Sequence, residues 1–207
     1  DIRKSFVKVG IGAEKKSRIV SEKEKRITAY HEAGHAILFH VLPDVGPVYS
    51  VSIIPTGVGA AGYTMPLPEK DEMFLTRGKM MQDIMVSLGG RIAEELIFED
   101  VTTGASQDIR QATKTARAMV TQYGMSAALG TQVFGQPNHE VFLGRDYGNT
   151  QDYSEETARR IDDEVARIMK GAHDRAYEIL SSHRDQMDLM ASVLLERETV
   201  DGAACQA

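Results

Sequence analysis

A short segment of the chain, TAYHEAGHAILFH, places His31, Glu32 and His35 inside a largely apolar run. On an α-helix the side chains of His31 and His35 are separated by about 40° around the axis, so both imidazoles can reach one ion. Imidazole nitrogen binds zinc, and a catalytic zinc site uses three protein ligands and leaves a fourth position to water. Glu32 lies beside the same face, where its carboxylate can take a proton from that water. The H-E-x-x-H spacing therefore predicts a zinc site with hydrolytic chemistry.

The third ligand must come from outside this helix. An H-x-x-G-x-x-H extension would need glycine and histidine where the sequence has Leu38 and Val41. His40 is about 140° around the helix from His35 and cannot join the site. Six residues elsewhere in the chain are candidates for the third ligand, and spacing alone does not rank them. An acid such as Asp108 in the first turn of a helix, for example, is also favoured by the helix dipole. These candidates are Glu94, Glu95, Asp108, His139, His173 and His183.

The motif lies on a helix with clear boundaries in the sequence. Ser21 and Glu24 form a capping box, and the helical pattern runs on until Leu42 and Pro43 end it. Gly34 lies between the two histidines and costs roughly 1 kcal/mol against alanine in a helix. We therefore expect another element to approach the helix closely at this point.

A small sheet and several further helices are predicted around this helix. VYSVSIIP from Val48 favours a strand, and the glycine-rich segment 57–67 favours a turn followed by a second strand. Helical periodicity covers 75–98, where Gly89 and Gly90 indicate close packing. Ser106 and Ser154 are each expected to cap a later helix. A last helix is predicted at 185–196, and 127–153 favours a loop with a short strand. The sequence thus predicts a mainly α fold with a small β-sheet inserted after the metal-binding helix.

The composition of the chain limits which classes of protein and of binding partner are possible. The chain has 207 residues, 42% of them hydrophobic, which is enough for a sizeable core. Its net charge of −6 argues against nucleic acid as the main partner, although residues 1–26 carry nine basic and four acidic side chains. The single cysteine, Cys205, allows no intrachain disulfide and favours a reducing compartment. The long uncharged segment 51–68 is interrupted by prolines and glycines and is not expected to span a membrane.

Seven blocks of the sequence, in order, resemble the peptidase domain of the FtsH family of ATP-dependent membrane zinc metalloproteases. The resemblance covers nearly the whole chain, and it is the ordered set that makes it specific. It implies a mostly helical zinc-metallopeptidase domain, hexameric rings, and degradation of membrane and soluble proteins supplied by an attached ATPase domain. The blocks are EKKSRIVSEKEKRITAYHEAGHA (14–36), VSIIPTG (51–57), GYTMPLPEKD (62–71), LGGRIAEELIF (88–98), TTGASQDIRQAT (102–113), YGMS (123–126) and FLGRDYGNTQDYSEETARRIDDEV (142–165).

The resemblance also implies roles for individual residues. His31 and His35 match the zinc-binding histidines, Glu32 matches the catalytic base, and Asp108 matches the third, carboxylate ligand. Glu94 stays the second choice for that ligand, and it is also a candidate partner for a zinc-bound imidazole.

The resemblance predicts a domain order and a cellular setting. It assigns 1–20 to a basic linker from an ATPase module, 21–200 to the peptidase domain and 201–207 to a C-terminal tail. The chain opens without methionine, as a fragment would, and no G-x-x-x-x-G-K-[ST] phosphate loop occurs in it. The full-length protein is expected to be anchored in a membrane, with this domain, soluble by itself, on the cytoplasmic side or on the matrix or stromal side of an organelle. Its expected partners are unfolded or membrane-protein polypeptides, the ATPase and transmembrane segments, and five further copies in a homo-hexamer, which would use the helices after Ser154.

Two other functions compete with a peptidase. One is a ring-forming interaction module whose metal site is structural or empty, and the other is a zinc hydrolase for a small molecule. A peptide substrate would lie extended against an exposed sheet edge, near Val51–Ile54 or Ala60–Thr64. A long open edge would favour the peptide over a compact ligand.

Overall fold

The computed structural model describes residues 20–56, 60–67, 73–135 and 153–205. Most of the predicted basic linker, His139 and the later part of the loop predicted at 127–153 lie outside these ranges. In the described residues helix dominates and one small antiparallel sheet is present, so the prediction of a mainly α fold is confirmed. The helices are α1 (Glu22–Val41), α2 (Arg77–Phe98), α3 (Ser106–Thr121), α4 (Glu155–Ser182), α5 (Arg184–Arg197) and α6 (Gly202–Cys205), and the strands are β1 (Val48–Ser52), β2 (Tyr63–Pro66) and β3 (Thr199–Asp201).

Helix α1 begins and ends as the sequence predicts. The Ser21 hydroxyl accepts from the Glu24 backbone N–H, and the Glu24 carboxylate accepts from the Ser21 backbone N–H, which completes the capping box. The helix ends before Leu42, which has an extended backbone conformation. Between these ends Thr28 to Leu38 is buried almost without interruption, so the H-E-x-x-H motif lies in the interior of the protein.

The sheet has the order β2-β1-β3, with both outer strands antiparallel to β1. Val51 of β1 pairs with Thr64 on one side and with Val200 on the other. The third strand, β3, was not predicted from the sequence, since three residues are too few to show a strand period. The predicted tail from residue 201 begins with the last residue of β3, and Gly202–Cys205 form α6.

The helices pack around α1 and α2. Helix α1 contacts α2 and α5, while α2 also contacts α3 and α4. The crossing of α1 and α2 is close at Gly34, where a Cβ atom would lie less than 3.0 Å from the Gly89 carbonyl group and from Ala93 Cβ. The close approach expected at Gly34 and at the glycine pair of α2 is therefore present.

Helix starts differ from the predictions at two places. Thr76 caps α2, which begins at Arg77. Ser106 is the first residue of α3 rather than its cap, because a 3₁₀ turn at Thr103–Ala105 leads directly into the helix. Residues 127–135 contain no strand in the described part of the predicted loop, only a bridge between Ser126 and Gly130. No helix among the described residues has the length and apolar character needed to cross a membrane.

Candidate metal centre

The structure brings His31, His35 and Asp108 together. The Nε2 atoms of the two histidines are 3.2 Å apart, and Asp108 Oδ2 lies 3.3 Å from His31 Nε2 and 3.8 Å from His35 Nε2. One ligand atom from each residue lies within 4.8 Å of the others. Asp108 is in the first turn of α3, so two helices supply the three atoms. Two imidazole nitrogens and one carboxylate oxygen are a donor set that suits zinc with a position left for water.

The other ring nitrogen of each histidine is held by a hydrogen-bond acceptor. His31 Nδ1 donates to Glu94 Oε1 at 2.8 Å, and His35 Nδ1 donates to the Val86 carbonyl oxygen at 2.7 Å. Both acceptors lie on α2. Such bonds fix the orientation of each ring and direct its Nε2 toward the common point.

Glu94 is completely buried behind His31. Its carboxylate also accepts from the Thr102 backbone N–H at 2.6 Å and from the Thr102 hydroxyl at 3.2 Å. Burial alone would raise the pKa of Glu94, but the hydrogen bonds from His31 and Thr102 lower it below its usual range. An ionised Glu94 thus lies at Nδ1 of His31, whereas Asp108 lies at Nε2 of the same ring.

The two histidines have opposite charge preferences in the absence of metal. Desolvation disfavours the charged His31 ring, but hydrogen bonds to Asp108 and Glu94 outweigh it and raise the pKa of His31 to about 10. Burial and the neighbouring charge of His31 lower the pKa of His35 to about 4. His31 therefore carries a proton between two carboxylates, and a metal ion binding at Nε2 must displace that proton.

Glu32 lies beside this cluster in a buried position. Its side chain is only 6% exposed, and Oε2 accepts from the Thr64 hydroxyl at 2.7 Å. Desolvation raises the pKa of Glu32 to about 7, although the charge of His31 and the bond from Thr64 act in the other direction. A carboxylate with a pKa near neutrality can both accept and release a proton at physiological pH.

Strand β2 brings the sheet to the edge of the site. It pairs with β1 on one side, and no strand among the described residues pairs with its other side. Gly62, just before β2, passes so close to α1 that an added Cβ would lie 2.9 Å from Glu32 Oε1. The edge strand β2 and the Glu32 carboxylate are therefore neighbours.

The other candidate ligands lie elsewhere in the described structure. Glu95 accepts from His173 Nε2 at 3.0 Å on the outer side of α2 and α4. The His183 ring bonds to the Ile179 carbonyl group at the end of α4, and His40 is exposed near the end of α1. His139 lies outside the described residues.

Sequence reasoning missed several groups that hold the site. Val86 contributes through its backbone carbonyl, which no residue type reveals. Thr102 and Thr64 are polar residues in a loop and a strand that only the fold brings to Glu94 and Glu32. The glycine pair in α2 was the one available signal, since paired glycines inside a helix indicate close packing.

Comparison with known proteins gives a consistent result. The family model described as peptidase family M41 matches residues 18–207. The chain is 58% identical over 207 residues, its whole length, to an ATP-dependent zinc metalloprotease FtsH from Slackia heliotrinireducens. It is 50% identical over 202 residues to a protein of the same description from Caldicellulosiruptor bescii, and 50% identical over 199 residues to one from Rhodococcus erythropolis.

These relatives are longer than the chain. It covers 26% of the Slackia protein, 33% of the Caldicellulosiruptor protein and 23% of the Rhodococcus protein, while 96% or more of its own residues are aligned in each case. The match thus involves one part of each relative and nearly all of this chain. The resemblance to the FtsH peptidase domain is confirmed, and the chain belongs to peptidase family M41.

Proposed function

We propose that this chain is the zinc-dependent endopeptidase domain of an ATP-dependent protease. The observation that carries the proposal is the group formed by His31, His35 and Asp108, with the buried carboxylate of Glu32 beside it. The description shared by these relatives, ATP-dependent zinc metalloprotease, supports the metal and the reaction.

In this proposal His31, His35 and Asp108 hold Zn²⁺ through Nε2, Nε2 and a carboxylate oxygen. When bound, the ion lowers the pKa of water and polarises a carbonyl group. Glu94 and the Val86 carbonyl group keep both imidazoles in the tautomer that offers Nε2 as the ligand. Glu94 remains the second choice as a ligand, but its bond to His31 Nδ1 favours Asp108 as the third donor.

Glu32 is the proposed general base. Its carboxylate takes a proton from the attacking water and then passes that proton to the amine that leaves when the peptide bond breaks. The buried setting of Glu32 suits both steps, since it raises the pKa of the carboxyl group to about 7.

The substrate is proposed to lie extended along β2. Of the two sheet segments considered from the sequence, Val51–Ile54 begins in β1, which has β2 on one side and β3 on the other. Ala60–Thr64 leads into β2, which is an edge strand of the described sheet and adjoins Glu32. Main-chain hydrogen bonds along such an edge hold a peptide with loose sequence selectivity.

The wider setting of the domain follows from the resemblance and is proposed with it. The full-length protein forms a homo-hexamer, carries an ATPase module and a membrane anchor, and degrades membrane and soluble proteins. The domain lies on the cytoplasmic side or on the matrix or stromal side of an organelle. We also propose the domain boundaries given by the sequence, with a linker at 1–20 and a tail at 201–207.

The test is zinc content measured together with hydrolysis of an unfolded protein, on the native chain and on Glu32→Gln, Asp108→Ala and His173→Ala. We expect one zinc per chain, no hydrolysis by Glu32→Gln despite retained zinc, and weakened zinc binding in Asp108→Ala. His173→Ala, which changes a histidine outside the site, should match the native chain.

Other outcomes assign other functions. Hydrolysis that survives in Glu32→Gln would overturn the catalytic role of Glu32. Zinc binding without any hydrolysis of unfolded protein would favour an interaction module or a hydrolase of small molecules. Undiminished zinc binding in Asp108→Ala would move the third ligand to Glu94 or elsewhere.

A further inference from the structure

The Thr64 side chain joins the sheet to the Glu32 carboxylate. Its hydroxyl donates to Glu32 Oε2 at 2.7 Å. The Thr64 hydroxyl oxygen, Oγ1, also lies 3.3 Å from the Glu32 backbone carbonyl oxygen. A hydroxyl that donates to an ionised carboxylate forms a charge-assisted bond, which is shorter and stronger than a neutral one. The hydroxyl hydrogen is thus directed at one oxygen of the proposed base.

The bond engages only one of the two carboxylate oxygens. Among the described residues no hydrogen bond is made to Glu32 Oε1, which lies on the side of Gly62. A carboxylate fixed through Oε2 presents Oε1 in a constant direction, whereas an unrestrained carboxylate can rotate about its last torsion. Proton transfer requires the accepting oxygen to stay within hydrogen-bond reach of the proton.

The backbone around Thr64 is itself held in place. Thr64 pairs with Val51 of the central strand, and Gly62 packs against Ser52, Thr28 and Glu32. The Thr64 hydroxyl therefore has a rigid support, and that support is the edge strand on which the peptide is proposed to lie.

We propose that Thr64 is a positioning residue, which holds the Glu32 carboxylate through Oε2 so that Oε1 faces the water to be deprotonated. The inference rests on the proposed peptidase function and adds to it a residue on the substrate-binding strand. Because one strand supports both the peptide and the base, a peptide docked on β2 is brought into a fixed relation to the oxygen that takes the proton. The hydrogen bonds of the Thr64 hydroxyl go to Glu32 and not to the ligand atoms of His31, His35 or Asp108, so its loss should leave zinc binding intact.

The test compares Thr64→Val, which keeps the shape and removes the hydroxyl, with Thr64→Ser, which keeps the hydroxyl. Zinc content, kcat and KM are measured on an unstructured peptide with the zinc-loaded chain. We expect Thr64→Val to retain zinc, to lower kcat about tenfold and to leave KM within about twofold, since the lost bond orients the base rather than the substrate. Thr64→Ser should recover most of kcat.

A second measurement detects the bond without any catalysis. Unfolding by urea is followed in metal-free native chain, Thr64→Val, Glu32→Ala and the double variant. If the hydroxyl bonds to the carboxylate, Thr64→Val should lower the urea midpoint in the native background and much less in the Glu32→Ala background.

The outcomes separate this inference from the proposed function. If the native chain is active, two results overturn the positioning role and leave the proposed peptidase function intact. One is full kcat in Thr64→Val, and the other is an equal loss of kcat in Thr64→Val and Thr64→Ser. An equal fall of the urea midpoint in both backgrounds shows that the two side chains are not coupled and also overturns it. A native chain that holds zinc but cleaves no peptide overturns the proposed function and this inference together.

Discussion

Gly90 of α2 lies directly against the imidazole ring of His31. A Cβ atom added to Gly90 would come closer than 3.0 Å to Nε2, Cε1 and Cδ2 of that ring, a separation that real Cβ atoms essentially never show. The ring has little freedom to move aside, because Glu94 holds Nδ1 and Asp108 lies at Nε2. The position of the first proposed ligand thus depends on the absence of a side chain one helix away.

Gly90→Ala is therefore expected to displace the His31 ring and to weaken zinc binding by roughly tenfold to a hundredfold. The measurement is a competition titration with a chromophoric zinc chelator. Gly171→Ala is the matched control, since Gly171 is also inside a helix but an added Cβ there has nothing within 4 Å. That control should keep full zinc affinity and gain roughly 0.5–1 kcal/mol of stability from the helix propensity of alanine. Equal zinc affinity in the two variants would contradict the steric argument.

Glu94→Gln should weaken zinc binding while leaving the fold intact. The amide can still accept from Thr102, but it no longer places a negative charge at Nδ1 of His31, and the loss of such a partner lowers metal affinity by roughly tenfold to a hundredfold. Glu95→Gln is the control, because the neighbouring Glu95 carboxylate bonds to His173 away from the site. The same chelator titration checks both, and an unchanged affinity in Glu94→Gln would show that the Glu94 charge does not support the metal.

Much of the site could be predicted because its core is local in sequence. His31, Glu32 and His35 are neighbours on one helix, and the helical period alone places the two rings together. The helix limits were equally predictable, since Ser21, Glu24 and Pro43 act through local backbone chemistry. Asp108 differs, because only the packing of α3 against α2 brings it to the histidines, and the residues alone left it among six candidates.

What remained unpredictable depends on long-range contacts. Strand β3 is recognised as a strand only through its pairing with β1, about 150 residues earlier in the chain. The Val86 carbonyl group has no residue-specific signal at all. The role of Ser106 was predicted wrongly as a helix cap, because the 3₁₀ turn before it already continues into α3.

Strand β3 closes the sheet with a buried side chain, and its contribution can be measured. Val200 is 3% exposed and pairs with Val51 of the central strand. Val200→Ala removes two buried methyl groups and should lower the free energy of unfolding by about 1–2.5 kcal/mol in urea titrations. Val133→Ala removes the same groups from a side chain that is 67% exposed and should change stability by less than about 0.5 kcal/mol. Comparable losses in the two variants would show that β3 is not part of the cooperative core.

Glu164 of α4 provides a stability effect that depends on pH and lies apart from the metal centre. Its carboxylate accepts from Arg167 at 2.8 and 2.9 Å and from the Ser126 hydroxyl at 2.6 Å, although the residue is only 7% exposed. The hydrogen bonds from Arg167 and Ser126 hold the pKa of Glu164 at about 2, well below the ordinary value of 4.5. Ser126 in turn accepts from the Leu129 backbone N–H, so the carboxylate anchors the turn after α3 to α4.

A carboxyl group whose pKa is lower in the folded than in the unfolded state stabilises the fold above the unfolded pKa. For Glu164 this contribution should be complete above about pH 5 and should disappear as the pH falls toward about 2. Since Arg167 is 56% exposed, solvent screening reduces the contribution of Glu164 to stability, and we expect roughly 2 kcal/mol near pH 6.

Glu164→Gln should therefore be less stable than the native chain near pH 6, and the difference in stability should shrink as the pH is lowered. Urea unfolding of the metal-free chain across this range measures it, with the exposed neighbour Asp163→Asn as control. A difference between Glu164→Gln and the native chain that stays constant with pH would mean that the lost stability comes from packing and not from the ionised carboxylate.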